Sequence, residues 1–209
     1  MATEAEKKQH RCCFVGHRPE KLSMPPAEIK EWLRKQIAQA VEDGYVTFIT
    51  GMSMGVDIWA GQIVAELKRS DPRIHLIAAV PWPGFSARWH DDWKAEYQEL
   101  LKQADLVKNV RSAYSDDVFK ARNEWMVDHS TRLIGLYNRT PGGTRDTLNY
   151  ALQQNVKVIL GGSPEVEAIN SISVFPSREI SSAWRTSIED RIAMAVIGQQ
   201  LMEASFNDK

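Results

Sequence analysis

The sequence predicts an α/β protein: an open, mainly parallel sheet with helices on both faces, followed by a C-terminal helical extension. Three observations carry this. Short apolar runs alternate with amphipathic stretches of roughly ten to sixteen residues, the pattern of repeated βαβ units. The runs are nearly continuous in apolar character, as strands covered on both faces require. Several of the junctions from run to helix carry glycine, which frees the backbone there.

The elements follow in order. Arg11 to Gly16 (RCCFVG) reads as a buried strand. Pro25-Pro26 open a helix, because proline is tolerated in a first turn where no N–H partner is lost. Ile29, Trp32, Leu33, Ile37, Ala40 and Val41 fall three and four apart on one stripe, and Asp43-Gly44 end it. Val46 to Thr50 is the second strand. The next helix carries Ile58, Ile63, Val64 and Leu67 and ends near Asp71-Pro72. Ile74 to Val80 is a third strand, Trp89 to Ala104 a helix, and Leu106-Val107 with Val110 a short fourth strand. Val118 to Ser130 is helical, Arg132 to Tyr137 a fifth strand, Thr144 to Gln154 a helix and Val156 to Leu160 a sixth strand. These elements make one domain over residues 10–163.

Residues 164–209 form an extension in which the pattern weakens. Ser171 to Phe175 is a candidate edge strand. Ser182 to Ala204 reads as a helix with an apolar arc of Ile188, Ile192, Val196, Ile197 and Leu201. That arc either packs on the sheet or meets a second subunit, and with the size of the fold it points to a homo-oligomer.

Composition narrows the function classes. The 209 residues include 26 Lys+Arg and 27 Asp+Glu, a net charge of −1. A protein that lives on nucleic-acid phosphates usually carries a basic excess, so this balance disfavours DNA or RNA as the main partner. The two cysteines, Cys12 and Cys13, are neighbours on a strand and point to opposite faces, unsuited to a disulfide or a metal site. No stretch is apolar enough for a membrane span or a signal peptide, and the cytoplasm is the expected setting. Nothing in the residue pattern calls for a metal or an organic cofactor.

In an open α/β sheet, ligands bind outside the carboxyl ends of the strands. Four loops leave strands there: Gly16-His17-Arg18-Pro19, Gly51 to Asp57, Pro81 to Trp89, and Pro141-Gly142-Gly143-Thr144. The second is the most informative. Phe48-Ile49-Thr50 runs into Gly51 and Gly55, four apart, and a helix follows at once, so backbone N–H groups stand open where an anion can sit. Pro141 to Thr144 repeats that logic and adds a hydroxyl. Arg18 suits a phosphate and His17 a ribose or phosphate oxygen. Asp57 either favours the helix dipole or accepts bonds from ribose hydroxyls. Trp82 and Phe85 either stack a base or pack a lid on the protein itself. Arg122 shares a helix face with Trp125, Met126 and His129, a place that suits an arginine paired with a carboxylate or an anionic ligand. The candidate ligand-binding set is therefore Gly16, His17, Arg18, Gly51, Ser53, Gly55, Asp57, Arg122, Gly142, Gly143 and Thr144.

Taken together, Gly16-His17-Arg18-Pro19-Glu20-Lys21-Leu22, Thr50 through Ala60, Pro81 to Trp89 and Phe119-Lys120-Ala121-Arg122-Asn123 resemble the YpsA-like branch of the SLOG superfamily over about residues 10–162. The resemblance implies a Rossmann-like fold that binds nucleotides or nucleotide-derived ligands such as ADP-ribose, in a sensing or regulatory role. Two relatives of that superfamily imply alternatives. The Lonely Guy phosphoribohydrolases cleave the N-glycosidic bond of nucleoside monophosphates. Against their Pro-Gly-Gly-x-Gly-Thr-x-x-Glu turn, this chain has Pro141-Gly142-Gly143 but lacks the x-Gly pair before Thr144. Their catalytic Glu position falls on Thr147, with Asp146 beside it, so Arg122 and Asp146 are the catalytic candidates that the resemblance implies. DNA-processing protein A carries a motif similar to Thr50 through Asp57 and an Arg-Asn pair similar to Arg122-Asn123. It implies single-stranded DNA binding, for which Lys108, Arg111, Lys120, Arg122 and Arg132 are the candidate basic residues.

Overall fold

A computed structural model describes residues 2–171 and 187–196. Six strands, β1 (Arg11–Gly16), β2 (Thr47–Thr50), β3 (His75–Val80), β4 (Leu106–Asn109), β5 (Arg132–Leu136) and β6 (Lys157–Gly161), form one sheet in the order β4-β3-β2-β1-β5-β6. Every neighbouring pair is parallel. The chain steps outward from β1 to β4 and then returns to lay β5 on the other side of β1. That reversal places a switch point between the carboxyl ends of β1 and β5.

The helices are α1 (Glu4–Gln9), α2 (Pro26–Glu42), α3 (Val56–Lys68), α4 (Asp91–Gln103), α5 (Val118–Asp128), α6 (Gly143–Gln153) and the single turn α7 (Pro164–Glu167), with residues 188–196 also helical. They cover the sheet in two apolar layers. In one, Ile29, Leu33 and Ile37 of α2, Ile58 of α3 and Leu100 of α4 pack on Phe14, Phe48 and Leu76. In the other, Met126 of α5 and Leu148 of α6 pack on Val15, Ile49 and Leu133. Cys12 lies in the first layer and Cys13 in the second, as strand alternation requires. Burial pushes both thiols up, Cys13 to about 12, so neither is a reactive thiolate.

The sheet is wholly parallel, and the strands sit within a residue or two of the apolar runs. Two elements differ from expectation. Helix α1 forms in the polar N-terminus because Thr3 and Glu6 close a capping box. Trp89 belongs to the preceding loop, since its ring packs on Phe85 and Tyr97 at 4.9 and 5.3 Å. The expected edge strand over 171–175 lies outside the described residues apart from Ser171, which ends a short 3-10 turn. Ile188 and Ile192 are buried in the second layer, so that part of the C-terminal arc turns inward onto its own chain.

Candidate functional site

The three carboxyl-end loops beside the switch point are brought together by packing. Gly16 needs to be glycine because a Cβ there would strike Val56, the first residue of α3. Gly55 caps α3 at φ 88°, and a Cβ on it would come within 2.8 Å of Pro19 in the β1–α2 loop. On the other side, the Asn138 side-chain amide donates to the Lys21 carbonyl at 2.6 Å and joins the β5–α6 loop to the β1–α2 loop.

Helix α5 spans the two glycine loops with adjacent residues. Arg122 donates to the Gly51 carbonyl and to Ser53 Oγ, the latter at 3.1 Å, and lies 3.6 Å from Asp57 Oδ2. Asn123 donates to Thr147 Oγ1 at 2.7 Å, and that hydroxyl donates to the Gly143 carbonyl at 2.6 Å. One face of α5 thus fixes the start of α3, and its neighbour fixes the start of α6.

The Arg122–Asp57 pair is buried, with side chains 5% and 8% exposed. Burial raises the Asp57 carboxyl above its ordinary value, and Arg122 with the Ser53 amide pulls it partway back. Burial likewise lowers the Arg122 guanidinium, opposed by Asp57. Asp57 Oδ2 accepts from the Ser53 amide at 3.2 Å. Asp57 Oδ1 and Arg122 Nε are buried without a hydrogen-bond partner among the described residues. Of the two sequence readings for Arg122, the geometry shows pairing with a carboxylate inside the protein.

The amides of the two glycine loops divide into two groups. Met52 N–H is taken by Thr50 Oγ1 and Ser53 N–H by Asp57, and Thr50 Oγ1 itself donates to the Asp57 carbonyl at 2.7 Å. By contrast, the N–H groups of Val56 and Asp57 at the start of α3 have no acceptor among the described residues. The same holds for Gly143, Thr144 and Arg145 at the start of α6. Gly142 caps α6 at φ 140°; nothing lies within 4 Å of a Cβ built there, and only Asn123 Nδ2, at 3.9 Å, near one on Gly143. That open space lies over a helix N-terminus, which favours an anion.

His17, at the end of β1, is buried and stacks on Tyr137 with ring centroids 5.7 Å apart. Burial and nearby Lys21 hold its imidazole below the ordinary value, so it is neutral at pH 7, and its Nε2 has no partner among the described residues. Arg18, Lys21 and Arg139 are exposed on the loops around it and make no ion pair among the described residues. Tyr137, Asn138, Arg139 and Arg145 are site residues that sequence reasoning missed. Tyr137 merely ended an apolar run, and a lone arginine in a turn carries no signal.

Not every candidate joins this group. Asp146 is 70% exposed in its side chain and lies 3.6 Å from Arg145, while Thr147 is buried and bonded to Asn123. Trp82 and Phe85 stack edge-on with each other at 5.0 Å and with Phe119, a loop packed on its own protein. The five-residue basic cluster does not assemble. Arg122 is committed to Gly51 and Asp57. Arg132 is buried at the opposite end of the sheet, paired with Asp43 at 2.5 Å and placed 4.3 Å over the Tyr45 ring. Arg111 pairs with Asp117 at 3.0 Å and Lys120 with Glu124 at 3.8 Å.

Among the described residues, no helix is long and apolar enough to cross a membrane, and no group of three or more His, Cys, Asp or Glu could hold a metal. Residues 12–159 match the model of the YspA SLOG family. A UPF0398 protein of Bacillus thuringiensis is 29% identical over 138 residues, 62% of this chain and 75% of that protein. A UPF0398 protein of Halalkalibacterium halodurans is 28% identical over 118 residues, 56% of this chain and 62% of that one. Among solved structures, DNA processing protein A of Streptococcus pneumoniae superposes with a TM-score of 0.55 at 18% identity. That match covers 75% of this chain and about half of the other, 52%. The Helicobacter pylori protein, described for its single-stranded DNA binding mode, gives a TM-score of 0.55 at 13% identity over 93% of this chain and 83% of its own. At these identities the two structures show the shared fold.

Proposed function

This chain belongs to the YspA SLOG family, and on that premise we propose that its strand-end crevice binds a phosphorylated nucleoside, of the AMP or ADP-ribose type, as a sensing or regulatory module. One observation carries the reading: two helix N-termini with unbonded N–H groups, at Val56-Asp57 and at Gly143-Thr144-Arg145, are fixed beside one switch point by the adjacent residues Arg122 and Asn123. Phosphate oxygens are the ligands that such paired N-termini suit. Arg18, Lys21 and Arg139 add positive charge at the rim, and neutral His17 offers Nε2 to a hydroxyl or a phosphate oxygen. Arg122 acts as a positioning residue, and Thr144 is available as a hydroxyl donor.

Thermal-shift measurements with AMP, ADP-ribose, NAD and cyclic nucleotides, set against the matching nucleosides, test this. A ligand that binds only the folded state stabilises it by mass action, by about 2.7 kcal/mol at a hundredfold excess over Kd, and so raises the melting temperature. The phosphorylated compounds are expected to stabilise and the nucleosides to fail; equal responses would remove the phosphate from the account.

The likeness to a single-stranded DNA-binding protein supports a second reading, in which Arg18, Lys21 and Arg139 meet a strand backbone. Retention of oligonucleotide that weakens steeply with salt marks that outcome. The nucleotide N-glycosidase reading has less to stand on, because Asp146 is exposed and the buried carboxylate nearby is Asp57. Release of free base from nucleoside monophosphates, abolished in Asp146→Ala, is the result it requires.

A further inference from the structure

The two edges of the sheet are treated differently. At β6 the Asn170 side chain accepts from the Leu160 N–H at 2.8 Å and donates to the Leu160 carbonyl at 2.7 Å, taking the place of a neighbouring strand. At β4 all four residues are exposed, and the outward backbone groups meet no partner among the described residues. Leu106 and Val107 are 51% and 42% exposed there, and Tyr114 (61%) and Phe119 (38%) continue the apolar surface past the end of the strand. Four of the five large exposed hydrophobic residues among the described residues thus fall between 106 and 119, the fifth being Met194. An open apolar edge of this kind is a template for another strand.

We propose that β4 is the interface of a homodimer, in which two copies pair their β4 strands antiparallel about a two-fold axis at Val107, making one continuous sheet. The occupant follows from geometry and charge. A two-fold axis perpendicular to the sheet keeps each residue on its own face, so pairing is allowed only in registers that set like faces opposite each other. The register centred on Lys108 puts two ammonium groups directly opposite, which is unfavourable. The register centred on Val107 joins Val107 to Val107 of the partner subunit and lays each Leu106 along the aliphatic stem of the partner's Lys108. Lys108 on the strand and Asp116 in the loop after it are exposed, carry opposite charges and make no ion pair among the described residues, so the surface offers both signs to a second copy. This interface lies outside the nucleotide crevice and stands whether or not a nucleotide binds.

Sedimentation velocity on the full chain, over a concentration series, tests the proposal together with cysteine cross-linking. The parent is expected to dimerise, and Leu106→Lys/Val107→Lys to remain monomeric with an unchanged circular dichroism spectrum. Val107→Cys is expected to form a disulfide-linked dimer on mild oxidation, because directly opposed residues sit about 4.5–5.5 Å apart. Lys108→Cys, about 8 Å from its symmetry mate in this register, is expected not to link. A parent that stays monomeric throughout overturns the proposal. So does a dimer that survives Leu106→Lys/Val107→Lys, which would place the contact elsewhere, for instance at Met194. Cross-linking through Lys108→Cys alone refutes the register.

Discussion

Arg122→Met isolates the pair that joins the two glycine loops. The substitution leaves Asp57 as a buried carboxylate with its counter-ion gone, and it strips a donor from the Gly51 carbonyl and from Ser53 Oγ. Both side chains are under a tenth exposed, so water screens the interaction little. Removing one member of such a pair costs about 3–5 kcal/mol. A domain of this size has roughly 5–15 kcal/mol of stability, so the variant should lose at least about a fifth of it. Urea unfolding followed by circular dichroism at pH 7 measures that loss directly.

The pH dependence of the same variant gives a second handle. Burial already holds the Asp57 carboxyl above its ordinary value, and loss of Arg122 raises it further. Between the unfolded value, about 3.9, and the higher folded value, the native state holds a proton that the unfolded chain has released. Stability contributed by that proton is present at low pH and lost as pH rises through the folded value. The gap between the parent and Arg122→Met should therefore narrow as the solution is made acidic. Asp57→Asn/Arg122→Met should lose less than the sum of the two single changes. A loss under about 1 kcal/mol at neutral pH, or a gap indifferent to pH, would refute the reasoning.

Further outcomes follow from neighbouring contacts. Gly51→Ala places a Cβ 2.7 Å from Asp57 Oδ2 and against the Arg122 guanidinium, and should lose about 1–3 kcal/mol in urea unfolding. His17 is held below its ordinary value by burial, so the unfolded chain takes up its proton first. Its share of stability is lost as pH falls below about 6.5, and His17→Phe should flatten that part of a melting-temperature profile. Asn170→Ala removes both bonds to Leu160 and should cost about 1–3 kcal/mol, with faster hydrogen exchange confined to β6.

Most of the sheet was legible because parallel strands buried on both faces leave continuous apolar runs, as at Ile74 to Val80. Helix boundaries were clear wherever Pro25-Pro26 or Asp43-Gly44 marked them. The glycine loops were legible as candidates for the same reason, since Gly16, Gly51 and Gly55 sit at run ends. The destination of the Arg122 side chain was not: its partners, Gly51, Ser53 and Asp57, come from a different βα unit, and only the packing of α5 across the sheet brings them together. Asp146 drew attention by its place after Thr144, yet the α6 turn that buries Thr144 and Thr147 leaves it in solvent. The plugging of β6 by Asn170 likewise depends on a tertiary contact with no local pattern.

Amide-resolved NMR titration with AMP and with inorganic phosphate tests the nucleotide-crevice account most directly. The N–H resonances of Val56, Asp57, Gly143, Thr144 and Arg145 should move together, saturate at one dissociation constant, and respond to AMP but not to adenosine. Shifts confined to other parts of the surface, or no saturable shift at these five amides, would contradict it.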